Sequence, residues 1–168
     1  LLQSDVAGAF EHVLESFGVV PSRLTVELTE SELMDETGRV EASLRDLSDL
    51  GVGVSVDDFG TGYSSLSHLR SLPLTELKVD RQFVSSMVHS SPDRVVVQAL
   101  VSLAHDLGLT LTAEGVEDQA TLELLRAMGC DAVQGYLFGC AVPVGEFSSS
   151  RPVANGDATL GTAPRRSC

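Results

Sequence analysis

The sequence predicts an α/β fold built on a mostly parallel sheet, and two patterns predict it. Short apolar or β-branched runs alternate with longer segments of helical period through about residue 147, the order that places crossover helices between parallel strands. Each short run is apolar along its body and carries a carboxylate, ammonium or amide at or near its C-terminal end: Glu27 with Glu30, Asp57 with Asp58, Lys78 with Asp80, Glu114 with Glu117, and Gln134. In a parallel sheet or barrel those ends share one rim, so residues distant in sequence converge there.

Val6, Phe10, Val13, Leu14 and Phe17 recur at helical spacing and form one apolar face of a helix that ends near Gly18. Pro21 opens a turn. From Arg23, the run Leu24-Thr25-Val26-Glu27-Leu28-Thr29 is short and rich in β-branched residues, as a buried strand is. From about Thr37 a second helix turns Val40, Leu44, Leu47 and Leu50 inward and stops at Gly51. Val52 to Asp57 is the next strand, followed by a Gly-rich turn, a short helical stretch over Ser64 to Leu69, and a third strand over Glu76 to Val79. Ser91-Pro92 opens, and Gly108 closes, a helix over about Asp93 to Leu107. Leu109 to Ala113 is strand, Gln119 to Met128 helix, and Ala132-Val133 begins a last short strand. No short-period repeat of the solenoid kind is present.

From Ser148 the composition shifts to Ser, Pro, Gly, Ala and Thr with almost no large apolar side chain, which predicts one domain over residues 1–147 and a disordered tail over 148–168. The 168 residues include 24 Asp plus Glu against 11 Lys plus Arg, a formal net charge of −13. With 43% hydrophobic residues and a mean hydropathy of +0.15 the chain fills a real core, which excludes disorder along its whole length. A pI near 4.5 with cations scattered singly, apart from Arg165-Arg166, argues against binding a nucleic-acid polymer. No apolar run approaches the ~20 residues of a membrane span and no secretory signal opens the chain, so the expected location is cytoplasmic. Cys130, Cys140 and Cys168 are odd in number and form no C-x-x-C pair, which speaks against a disulfide framework or a thiolate zinc site.

Lone carboxylates within strands are costly to bury, but several together make sense if a cation neutralises them. Neighbours on a strand point to opposite faces, so Asp57 and Asp58 both face one metal only where the strand stops and the backbone turns. Phe59-Gly60-Thr61-Gly62 supplies that turn, and its amides suit approach to a phosphate oxygen. Taken alone, the pair fits equally a plain turn after a strand. Lys78 alternates with Leu77 and Val79, which puts it on the face opposite theirs. A buried ammonium there would hold a water or a developing anion; pairing with Asp80 or reaching solvent are the bland readings. Other motifs fail on context. Asp58-Phe59-Gly60 lacks the remaining protein-kinase signatures, Gly60-x-Gly62 meets Ser65 where a dinucleotide fingerprint needs Gly or Ala, and Ser64-Ser65 has no nucleophile elbow. His12, His68, His89 and His105 stand at no ligand spacing and read as surface or satisfied histidines.

Five stretches together resemble the EAL family of bacterial cyclic-di-GMP phosphodiesterases: Val26-Glu27-Leu28-Thr29-Glu30-Ser31, Asp57 through Leu66, Leu77-Lys78-Val79-Asp80-Arg81, Thr112-Ala113-Glu114-Gly115-Val116-Glu117, and Gln134-Gly135-Tyr136. They occur in order at family-like spacing. The resemblance implies a modified TIM (β/α) barrel that is incomplete here, about five of its eight strands being present. It further implies hydrolysis of cyclic-di-GMP to the linear dinucleotide pGpG at the C-terminal rim with two Mg²⁺ or Mn²⁺ ions, such ions lying roughly 3.5–4 Å apart in two-metal sites. Carried over by motif, Glu27 and Asp57 are metal ligands and Asp58 holds the second ion. Lys78 contacts the attacking water, Glu114 is a metal ligand or general base, and Gln134 orients water or metal. Glu30 steadies the loop containing Phe59, Gly60, Thr61 and Gly62, with Glu117 as a further supporting carboxylate. The Asp58–Leu66 loop lies near the subunit contact of the family's homodimers, and an upstream sensory or cyclase domain is expected.

The family's namesake Glu-Ala-Leu motif and an Asn in the strand just ahead of Leu1, both usual metal ligands, have no counterpart in the chain. Length agrees, since an eight-stranded barrel needs ~200 residues or more. Roughly the first three strands are therefore expected to be missing, leaving open edges and an isolated chain prone to instability or aggregation. Two functions follow: the C-terminal portion of an active phosphodiesterase, or a degenerate or truncated domain that binds cyclic-di-GMP or a protein partner without hydrolysis. A truncated product with no activity is the third reading.

Overall fold

The computed structural model describes residues 6–33, 39–62 and 66–143. Five strands form one sheet in sequence order: β1 (Thr25–Thr29), β2 (Gly53–Phe59), β3 (Glu76–Val79), β4 (Thr110–Ala113) and β5 (Ala132–Val133). Every pairing is parallel. Among the described residues β1 and β5 are the edges, so the sheet is open, as expected of a barrel with five strands present. The helices are α1 (Val6–Phe17), α2 (Glu30–Leu33), α3 (Arg39–Asp49), α4 (Leu66–Leu69), α5 (Arg81–Ser86), α6 (Ser91–Asp106) and α7 (Gln119–Ala127), with a 3₁₀ turn over Pro21–Arg23. No helix among the described residues is long and apolar enough to cross a membrane.

The sheet has two chemically opposite faces. Strand alternation and the parallel register put Leu28, Val54, Val56, Leu77, Val79, Leu111 and Ala113 on one of them. They form the main core with Val97, Val101 and Ala104 of α6 and with Leu122 and Leu125 of α7. The other face carries Thr25, Glu27, Ser55, Asp57, Glu76, Lys78, Thr110 and Thr112. Inward positions of an α/β barrel are ordinarily bulky branched residues, so this face is built for something other than packing. A smaller cluster of Leu14, Leu47 and Val52 joins α1 to α3.

Caps explain where the helices start. Ser90 Oγ accepts from Asp93 N at 3.3 Å and Pro92 sits in the first turn of α6, while Asp118 accepts from Thr121 N at 2.8 Å at the head of α7. Two helices were not predicted. In α2, Thr29 N and Oγ1 both donate to Glu32 Oε2 at 2.8 Å, a capping box over one turn, too short to show a period. In α5, six residues long, Asp80 is the N-cap and accepts from Gln82 N at 2.7 Å.

β2 corrects one expectation. The strand does not stop at Asp57 but runs to Phe59, and its register against β3 shifts between Val56 and Phe59. Val56 pairs with Leu77 and Phe59 with Val79, so three steps on β2 match two on β3. The extra residue is a β-bulge, and Asp58 takes it up in the left-handed region at φ 54°. Asp tolerates that region better than most non-glycine residues. Cys140 is disulfide-bonded, although the number and spacing of the cysteines spoke against a disulfide framework, because spacing in sequence does not report approach in space. Cys130 is free, and burial pushes its thiol up to about 11. The expected domain end at 147, the tail over 148–168 and Ser64-Ser65 lie outside the described residues.

Candidate metal centre

Lys78 is the centre of the polar face. Its side chain is 6% exposed, and Nζ lies 2.6 Å from Glu114 Oε1, 3.0 Å from Glu27 Oε2 and 3.3 Å from Asp57 Oδ1. Three neighbouring strands therefore aim at one ammonium: β1 supplies Glu27, β2 Asp57 and β3 the lysine itself, while Glu114 follows β4 directly. Burial alone would push the ammonium's pKa down, but the hydrogen bonds it donates to Glu114 and Glu27 outweigh it and hold Lys78 above the ordinary lysine range. Among the described residues the ion pairs of Lys78 are with Glu27, Asp57 and Glu114, not with Asp80.

The bulge brings Asp58 to the same place. Asp57, Asp58 and Glu114 each offer a carboxylate oxygen, and these lie within 4.8 Å of one another. Three hard oxygen donors at that spacing fit a divalent cation such as Mg²⁺, Mn²⁺ or Ca²⁺. Asp80 adds a fourth acid. Its hydrogen bond to Asp58, then burial, then the like charges of Asp57, Asp80 and Glu114 hold the Asp58 carboxyl above the usual carboxylate range. The sequence placed Asp80 at a strand end without giving it a part in the site; its spacing of two from Lys78 was the available signal.

Beside this cluster Glu30, 4% exposed, accepts through Oε2 from Gly60 N at 3.2 Å and from Gly62 N at 3.0 Å. A Cβ on Gly62 would fall 2.8 Å from the Glu30 carboxyl, so any larger residue there displaces the carboxylate from the loop. Thr61 Oγ1 donates to the Asp58 carbonyl at 3.0 Å, closing the loop on the bulge. Phe59 points away, buried in the main core. The loop that begins at Asp58 is described as far as Gly62; Tyr63 to Ser65 lie outside the described residues.

Two expected residues stand apart. Gln134 follows β5, where its N donates to the Ala113 carbonyl at 2.9 Å and its own carbonyl accepts from Val116 N at 3.0 Å, but its side chain makes no hydrogen bond among the described residues. Glu117 is exposed and likewise unpaired among them. Two of the histidines are satisfied structurally: His68 Nε2 meets the Leu33 carbonyl at 3.1 Å, and His105 Nε2 meets Asp131 Oδ2 at 2.9 Å.

A family model described as the EAL domain matches residues 1–141. The bifunctional diguanylate cyclase/cyclic di-GMP phosphodiesterase MucR of Pseudomonas aeruginosa is 45% identical over 130 residues, 77% of this chain and 19% of that protein. The oxygen sensor protein DosP of Escherichia coli is 41% identical over 134 residues, 80% of this chain and 17% of its own length. The chain thus spans less than a fifth of either relative. Among solved structures, a MucR phosphodiesterase in complex with c-di-GMP superposes with a TM-score of 0.80 at 41% identity, covering 86% of this chain and 58% of that one. A manganese/cy-diGMP complex of BlrP1 from Klebsiella pneumoniae gives 0.75 at 31%, covering 80% and 34%. With the model matched over most of its length, the chain belongs to the EAL domain family.

Proposed function

We propose that this chain is the C-terminal part of a metal-dependent phosphodiesterase that hydrolyses cyclic-di-GMP to linear pGpG. The observation that carries the reading is the convergence of Asp57, Asp58 and Glu114 within 4.8 Å around a lysine that also holds Glu27. Relatives and structural neighbours named for cyclic-di-GMP hydrolysis or binding support the substrate, and the Ca- and Mn-containing complexes support divalent ions.

In this reading Asp57, Asp58, Glu114 and Glu27 hold two Mg²⁺ or Mn²⁺ ions. Bound there, such ions supply a nucleophile near neutral pH and offset charge growing on the phosphoryl oxygens. Lys78 donates to the attacking water and keeps the acids from repelling the substrate phosphate. Glu114 doubles as the proton acceptor beside Lys78. Glu30 fixes the Phe59–Gly62 loop by its two backbone bonds, Gln134 orients water from the end of β5, and Glu117 supports the rim. A homodimer through the Asp58–Leu66 loop, an upstream sensory or cyclase domain and a cytoplasmic location complete the proposal.

The test is a Mg²⁺- or Mn²⁺-dependent hydrolysis assay on the full-length protein, scored for pGpG, beside Asp57→Asn. Turnover in the parent and its loss by at least 100-fold in the variant support the proposal. Tight binding of cyclic-di-GMP without pGpG would replace it with a non-hydrolysing binding module.

A further inference from the structure

Beside and below the lysine cluster lie further polar residues of the same face, Ser55 being the register partner of Glu27 on β1 and of Glu76 on β3, and Thr112 that of Lys78. Ser55 is two residues before Asp57, Glu76 two before Lys78, and Thr112 two before Glu114, so strand alternation puts each on the same face as its partner. Thr112 Oγ1 donates to Glu76 Oε1, which satisfies the threonine and leaves the carboxylate with spare acceptor capacity. Ser55 is fully buried, and its Oγ has no hydrogen-bond partner among the described residues.

A buried hydroxyl with nothing to bond to is expensive and rare in native proteins. Ser55 and Glu76 are register partners on adjacent strands, yet no hydrogen bond joins their side chains among the described residues. Water bridges such side chains where two or more polar partners are at hand. We propose that Ser55 and Glu76, with Thr112 holding the carboxylate, bind one ordered water beneath the metal centre. The Ser55 hydroxyl meets that water, the water donates to Glu76, and the bridge ties β2 to β3 below Asp57 and Lys78. A polar lining replaces the usual branched aliphatic filling because this part of the face is hydrated.

A double-mutant cycle on the full-length protein, kept free of divalent metal, tests it with Ser55→Ala and the isosteric Glu76→Gln. Each single variant is expected to lower Tm by about 2–4 °C, and the double variant to fall no further than the worse single, since both remove one bridge. A crystal structure of the full-length protein is expected to show a water within hydrogen-bond distance of Ser55 Oγ and a Glu76 oxygen. A rise in Tm for Ser55→Ala would mean that an orphan hydroxyl had been relieved, and overturns the proposal. Strictly additive losses, or a Tm that depends on Na⁺ or K⁺ against choline, overturn it as well. Both readouts are independent of whether the protein hydrolyses cyclic-di-GMP.

Discussion

Lys78 Nζ and Glu114 Oε1 meet at 2.6 Å, joining β3 to the segment after β4, with Glu27 and Asp57 closing round the same nitrogen. The ammonium is thus the counter-ion that lets three strand ends bearing acids lie together. Lys78→Met removes it and leaves the acids to repel one another. Breaking a fully buried ion pair costs about 3–5 kcal/mol. Because the partners are 20–49% exposed, solvent screening reduces the expected loss to about 1–3 kcal/mol. Divalent ions then do what the lysine did, so Mn²⁺ should raise the Tm of Lys78→Met more than that of the parent. Equal Mn²⁺ shifts in the two proteins would show that the lysine does not neutralise the ligand set.

Glu30 and Gly62 act as one device. Two backbone N–H groups of the loop share one carboxylate oxygen, and the glycine leaves the room that carboxylate occupies. Glu30→Ala removes both bonds; Gly60 and Gly62 are exposed, so water takes over the donors and the cost is about 0.5–1.5 kcal/mol per bond, and Gly62→Ala pushes the loop off the carboxylate. Either variant should lower turnover at least 10-fold, and the double variant should be no worse than the poorer single. Losses that multiply would separate the two residues.

The strands and long helices were legible because their signals are periodic: an apolar run for Leu77 to Val79, a stripe and two stops for α6. The convergence of Glu27, Asp57, Lys78 and Glu114 was legible too, since parallel strands must end on one rim. What escaped was non-periodic. A one-turn helix at Glu30 has no period, although Thr29-x-x-Glu32 spells its cap. The bulge at Asp57 and Asp58 depends on how β2 registers against β3, a relation between strands that neither strand's sequence contains. Asp80 was hidden by its second role, capping α5.

Asp118 gives a pH test at the head of α7. Its hydrogen bonds from Thr121 N and Thr121 Oγ1, both 2.8 Å, hold its carboxyl below the usual range. A lowered folded pKa adds stability above the unfolded value near ~3.9, and that stability drains away as pH falls through the folded value. Asp118→Ala should therefore lower stability by about 1 kcal/mol at pH 7. The gap should shrink below about pH 4, as the parent's carboxyl takes up its proton. A gap constant from pH 7 to pH 3 would assign the effect to lost packing.

Asp58 runs the other way. Asp80, burial and the surrounding negative charges raise its carboxyl, and a raised folded pKa means stability present below the unfolded value near ~3.9 and lost as pH climbs through the folded one. At neutral pH, without metal, ionised Asp58 therefore opposes folding. Asp58→Asn removes that charge while keeping shape, and asparagine accepts the left-handed φ of the bulge as readily as aspartate does. The metal-free variant should melt above the parent at pH 7, with the difference closing toward pH 4 as the parent's carboxyl protonates. Adding Mn²⁺ should reverse the order, because the parent gains a ligand charge that the variant lacks. Melting curves at two pH values, each with Mn²⁺ and with EDTA, decide it. A metal-free Asp58→Asn that melts below the parent at pH 7 would show that the bulge needs the carboxylate itself, and that the strain at Asp58 is held by bonding rather than tolerated for the sake of metal.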